Sequence, residues 1–212
     1  MELIEQNVRK VASAGSIPVR LEDIKLDLRV DSDDENDTIR RMALGAAAFL
    51  EKRTGYVLVP GSYELTMGEW FCDPFEVYKA PFRALERVEC LTAVDTWSEM
   101  DLSNFRVSVR EKSFLIIPAA AFIRPALFED FDSIRVAFTA GADVVEPGSG
   151  DPNPSSGLNS GDGDFALDDG IRTLFLMTVA HYYKNRELFL ADKEAEIIER
   201  AGSLLGAYRT YY

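Results

Sequence analysis

Two hydrophobic periods share this chain, and their order constrains its fold more than any other feature. From Ser32 to Gly55 the apolar side chains Ile39, Met42, Ala43, Ala46, Phe49 and Leu50 recur at three- and four-residue spacing, the signature of an amphipathic helix. Tyr63, Leu65 and Met67 then alternate, as do Val88 and Cys90, Phe105, Val107 and Val109, and Ile134, Val136 and Phe138. Alternation of that kind belongs to strands with one buried face. Helical spacing returns with Ile171, Leu174, Phe175, Thr178, Val179 and Tyr182.

Local signals place the ends. Ser32-Asp33-Asp34-Glu35 has the form of a capping box, and Gly55 suits a helix C-cap, so a helix is predicted over roughly 34–54. Leu21, Ile24 and Leu28 predict a short helix over roughly 21–29 after Pro18. The run Gly45-Ala46-Ala47-Ala48 leaves room for a second helix to approach closely. Pro60-Gly61, Pro74, Pro81, Ser103-Asn104, Pro118 and Pro125 punctuate the central strands, with Trp70, Phe71, Phe75, Phe82 and Trp97 as packing bulk. Asp168 or Asp169 can cap a helix ending near Glu187, and Ile197, Ala201, Leu204 and Leu205 predict a last one over roughly 193–206. The fold class expected is α+β: a helical bundle formed by N- and C-terminal helices, with a central antiparallel β excursion and a long mobile loop. Its parts are 1–60 (helical), 61–140 (β-rich insertion), 141–169 (a Gly/Pro/Ser/Asp-rich loop) and 170–212 (C-terminal helices and tail, one domain with 1–60).

Composition narrows the function classes. The 212 residues are 47% hydrophobic and 28% charged, enough apolar material for a core and too much for a disordered chain. No apolar run is long enough to span a membrane, and Met1 to Lys10 lacks the apolar core of a signal peptide, so a cytoplasm-made protein without a membrane partner is expected. Two cysteines cannot build a disulfide framework. Against 36 Asp+Glu stand 23 Lys+Arg, a net charge of −13, which argues against a protein that grips phosphates. Residues 61–170 hold 12 of those 13 surplus charges, leaving both ends near neutral.

Catalytic chemistry finds little support. His181 is the one histidine and lies in an aromatic, apolar helix; Cys72 and Cys90 have no metal-ligand spacing with it. Neither a phosphate-binding glycine loop nor a nucleophile elbow is present. Asp151-Pro152-Asn153-Pro154-Ser155 and Asp162-Gly163-Asp164 alternate oxygen donors, but prolines and Ser156 occupy positions a calcium loop needs otherwise. Carboxylate pairs such as Glu129-Asp130, or Glu86 with Glu89, are common in so acidic a chain. No catalytic residue, metal or cofactor is therefore predicted. The C-terminal Tyr208, Arg209, Tyr211 and Tyr212, together with Leu204 and Leu205, are of residue types suited to an interface.

The order of several short segments adds a resemblance. Leu21, Lys25, Leu28 and Arg29, then an acidic stretch, then Glu51, Arg53, Thr54 and Gly55 closing a helix, resemble the start of the head–tail connector (adaptor) family of tailed bacteriophages and gene transfer agents. Thr139 and Gly141 after a strand, and Tyr183, Arg186 and Glu187 ending a helix, are similar to its later segments. The likeness spans about residues 20–200; Ala142 to Asp169 replaces a short link in the family, and the first helix starts at Arg20-Leu21 without a Ser/Thr cap. The resemblance implies a non-enzymatic protein of the particle neck. It implies a homo-oligomeric ring, dodecameric in the family, that stacks on the portal protein, extends the DNA channel and receives a downstream neck or tail component. It also implies that DNA passes without specific binding, and that Leu204, Leu205, Tyr208, Arg209, Tyr211 and Tyr212 dock on the portal. The alternatives are another neck component, a stopper or tail-completion protein, and a carboxylate-dependent enzyme.

Overall fold

The computed structural model describes residues 7–13, 16–71, 74–128, 130–143 and 167–185. The chain forms two compact units, one of Met1–Ala14 with Pro60–Gly141 and one of Gly15–Val59 with Ala142–Tyr212.

The first unit is built of strands: β1 (Asn7–Ser13), β2 (Gly61–Met67), β3 (Phe75–Val77), β4 (Phe82–Ala93), β5 (Thr96–Glu99), β6 (Phe105–Val109), β7 (Phe114–Pro118) and β8 (Ile134–Ala140). A five-stranded antiparallel sheet has the order β1-β2-β8-β4-β5, and a three-stranded one has the order β3-β7-β6. Central β8 alternates cleanly, burying Ile134, Val136, Phe138 and Ala140. The two sheets pack through aromatic rings: Phe114 of β7 lies 4.4 Å from Phe82 of β4 and 5.0 Å from Phe138 of β8. Within the larger sheet Tyr63 stacks on its cross-strand partner Phe138 at 5.6 Å. On edge strand β5, Trp97 carries the Arg135 guanidinium 3.7 Å from its ring.

The second unit contains α1 (Leu21–Leu28), α2 (Asn36–Thr54) and α3 (Asp169–Lys184). Ile24, Ile39, Ala43, Ala46, Leu50, Ile171, Leu174 and Phe175 are its core. The small residues of α2 do admit a neighbour: a Cβ on Gly45 would meet the Tyr182 ring at 3.8 Å. Asp168 caps α3 as its position suggests, its Oδ1 accepting from the Gly170 and Ile171 N–H groups at 2.9 and 3.2 Å.

The helical bundle with a β excursion is corrected by these elements. The α+β class stands loosely, but eight strands in two antiparallel sheets and three helices make the described chain mostly β-rich. The strands were under-read because bulges break their alternation. Register shifts at Lys10/Ala12, Phe82/Ala84, Leu85/Arg87 and Leu91/Ala93 each move the apolar set by one position. Strand β1, which buries none of its described side chains, gave no hydrophobic signal at all. The capping box is corrected as well: Ser32 Oγ accepts from the Asp34 N–H at 3.2 Å, while the Glu35 carboxylate receives the Tyr183 hydroxyl, so α2 begins without a side-chain cap. The expected helix over 193–206 and most of the loop over 141–169 lie outside the described residues.

Candidate functional site

The family-like residues occupy element ends. In the helical unit Leu21 is buried, Leu28 packs against the core, and Lys25 Nζ donates to Asp33 Oδ1 at 2.6 Å. Arg29 is the left-handed C-cap of α1. Glu51 Oε1 accepts from the Leu58 N–H at 2.9 Å, tying the segment after α2 back to the helix. Arg53 lies over the Phe49 ring, and buried Thr54 donates to Leu50 C=O at 2.8 Å while accepting from the Tyr56 N–H at 3.1 Å. Gly55 closes α2 at φ 74°, in the left-handed region that costs other residues energy, and its N–H reaches Glu51 C=O at 3.0 Å.

At the end of β8 Thr139 Oγ1 faces Ala84 C=O at 3.4 Å. Gly141 follows at φ 132°, donating to Pro81 C=O at 2.8 Å and accepting from Arg83 Nε at 2.7 Å. These roles hold backbone in place. Arg186 and Glu187, and the portal-docking set Leu204, Leu205, Tyr208, Arg209, Tyr211 and Tyr212, lie outside the described residues.

Among the described residues no three His, Cys, Asp or Glu side chains sit close enough to hold a metal ion. Cys90 is fully buried, and desolvation pushes its thiol above the ordinary range, away from a nucleophilic thiolate. Asp101 is held below the usual aspartate range by the Ser103 N–H, and Asp33 by the Lys25 ammonium. His181 is half-buried in the last turn of α3, where its C=O accepts from the Asn185 N–H at 3.0 Å. No described helix is long and apolar enough to cross a membrane.

What the β-rich unit does present is an apolar surface on a fixed loop. Between β7 and β8, residues 119–128 and 130–133 have no regular structure, yet they are pinned at several points. Trp70 Nε1 donates to Pro125 C=O at 3.0 Å, Phe122 packs edge-on to the Trp70 ring at 5.3 Å, and the Phe128 N–H reaches Leu91 C=O at 2.8 Å. Ser133 is fully buried; its Oγ lies 2.7 Å from Phe128 C=O and 2.8 Å from Asp130 C=O, and accepts from the Asp130 N–H at 3.1 Å. Asp130 Oδ1 takes the Phe131 N–H at 2.7 Å.

This wiring holds Phe131 outward, 94% exposed, beside Phe128 at 39%. A recess of about 800 Å³ lies here, lined by Gly68, Glu69, Leu127, Phe128, Asp130 and Phe131. Burying such aromatic side chains is favourable, and a chain that fixes one in water has the residue type of a binding anchor. In the sequence Glu129-Asp130 shows only as a carboxylate pair, and nothing marks Phe131 as exposed. The available signal was an aromatic residue between two aspartates just ahead of a strand.

No protein-family model matches the chain, and no curated protein matches it. Among solved structures, a chain in the virion of a native gene transfer agent (GTA) particle superposes with a TM-score of 0.69 at 16% identity, covering 97% of this chain and 96% of that one. A chain in the neck of an empty GTA particle, computed with C6 symmetry, gives 0.70 at the same identity and coverage. One in the neck of a native GTA particle, computed with C12 symmetry, gives 0.63. The chain shares its fold, nearly end to end, with chains of GTA particle structures.

Proposed function

We propose that this chain is a structural protein of the neck of a tailed phage or gene-transfer-agent-like particle. Its specific role is a head–tail adaptor that forms a ring on the portal, extends the DNA channel and offers a platform to the next neck or tail component. The observation that supports this most is the fold shared over 97% of the chain with a chain of a particle neck. Independent support comes from the order of the motif residues, whose places at helix and strand ends are those of a scaffold.

A net charge of −13 suits a channel wall, because like charge repels the duplex over roughly 8 Å at physiological salt. Electron microscopy of particles carrying a tagged copy tests the placement. Density at the head–tail junction is expected, and label only on capsid or tail tube would refute the neck reading. Deleting Tyr208–Tyr212 is expected to weaken co-sedimentation with portal rings while the fold persists. Binding only to rings that already carry another adaptor would favour a stopper or tail-completion protein instead.

A further inference from the structure

We infer that the Phe131 turn of one copy seats against the bulged edge strand β1 of a second copy, a head-to-tail contact between identical chains; this rests on the ring reading above and names its surface. The turn is a built anchor. Phe131 is 94% exposed, yet Ser133, Asp130 and the close approach of Gly68 leave it little freedom: a Cβ on Gly68 would come within 3.0 Å of Phe131 C=O. An anchor ordered beforehand loses little entropy on binding. Exposed Asp130, Asp132 and Glu69 surround it, so the matching surface is apolar at its centre and basic at its rim.

Strand β1 has that character. The ladder to β2 runs Lys10↔Tyr63 and then Ala12↔Ser62, so Val11 is the bulged residue with no partner across the strand. Val11 is 58% exposed, and exposed Arg9 and Lys10 precede it. Arg9 keeps its side chain 71% exposed while bonded to Glu64 at 2.8 Å. A bulged edge bearing Arg and Lys resists strand addition, so the contact is made by side chains and adds no strand to the sheet.

One copy cannot satisfy itself. Phe131 lies against Gly68, just past the end of β2, whereas Val11 lies opposite Ser62 and Tyr63 near its start. Five or six residues of strand separate them, roughly 16–20 Å. Among the described residues the anchor and the seat of one copy do not meet, and a contact between unlike patches closes into a ring or propagates as a filament.

A disulfide test reads this contact directly. In a Cys72→Ser background, where Cys90 remains buried, Val11→Cys and Phe131→Cys are combined and oxidised. Oxidation is done on the concentrated free protein and on particles carrying the variant. The pair is expected to give a ladder of covalent multimers, and either cysteine alone no more than dimers.

Phe131→Ser is expected to weaken self-association by about 10-fold or more. Glu69→Lys with Asp132→Lys, which leaves the Asp130 hydrogen bond intact, should do the same, and adding Arg9→Glu with Lys10→Glu should restore it. Near-UV circular dichroism verifies folding of each variant. No ladder in either setting, cross-links to a different protein, or undiminished association of folded Phe131→Ser would overturn the inference. A tagged chain found in the neck beside a failed ladder would sink this contact alone and leave the neck reading standing.

Discussion

Replacing Ser133 by alanine separates the presence of Phe131 from its fixation. The hydroxyl is fully buried and serves three backbone groups: Phe128 C=O, Asp130 C=O and the Asp130 N–H. Its single proton is shared between the two carbonyls, so the substitution removes about two effective hydrogen bonds. At ~1 kcal/mol net for each, the loss is about 2 kcal/mol. It stays below the full penalty for stranded groups, because the turn carries exposed Asp130 and Phe131 and water can reach it. Little core is at stake, and the backbone bonds from the Leu91 N–H to Ser133 C=O and from the Phe128 N–H to Leu91 C=O, both 2.8 Å, survive. For a unit of about 100 residues, 2 kcal/mol lowers the melting temperature by roughly 8–16 °C. Hydrogen exchange should quicken most at the Phe131 amide, whose acceptor is the Asp130 carboxylate. Self-association should fall too, although the phenylalanine remains. A melting temperature within about 1 °C of the parent, with unchanged exchange at 130–132, would refute the claim that Ser133 holds the turn.

Three further perturbations probe the two units. Phe138→Ala empties the contact with Phe114 between the sheets and the stacking on Tyr63 within its own sheet, and should cost about 3–5 kcal/mol in urea unfolding followed by tryptophan fluorescence. Gly55→Ala forces a side chain to φ 74° and should cost about 1–2 kcal/mol, read as a lower midpoint of helical circular dichroism. Asp33 titrates below the ordinary 3.8, chiefly through its hydrogen bond from Lys25 and then that from Asn36. A depressed carboxylate stabilises the fold above its unfolded value and ceases to do so as pH falls through its folded value, so this contribution disappears in the acid range below 3.8. In Lys25→Met the Asp33 carboxyl, followed by NMR, should titrate closer to 3.8.

How much of this was legible in the sequence depended on whether a signal was local. Gly55, Asp168 and the small face of α2 could be read because caps and close packing need particular residue types at particular places. Strand β8 was legible for a similar reason: paired on both sides by β2 and β4, it alternates without a break. Strand β4 was legible only at Val88 and Cys90, since its two bulges against β8 scramble the pattern of buried residues along the rest of its twelve positions. Strand β1 is held by its ladder to Gly61–Met67, a partner some fifty residues away, and no spacing within Asn7–Ser13 announces it. The Phe131 turn fails for the same reason. Its meaning lies in Ser133, Gly68 and Leu91 converging on it, and the turn-forming residue types of Asp130, Asp132 and Ser133 hint at a turn without saying that Phe131 faces outward.

The acidity of the chain gains resolution from the same contacts. Asp23, Asp33, Glu64, Glu76 and Glu89 each face a lysine or arginine within 3.3 Å, so much of their field is cancelled locally. Asp101 and Asp130 instead accept backbone N–H groups, which fixes their position without setting a cation beside them. Fixed, uncancelled charge is the kind that steers and repels over a distance. In the proposed ring this divides the labour of the acids. Those beside Phe131 select a basic partner at the contact, while the others supply repulsion toward a passing duplex. A uniform acidic coat would do only the second, and could not tell a neighbouring copy from any other apolar surface.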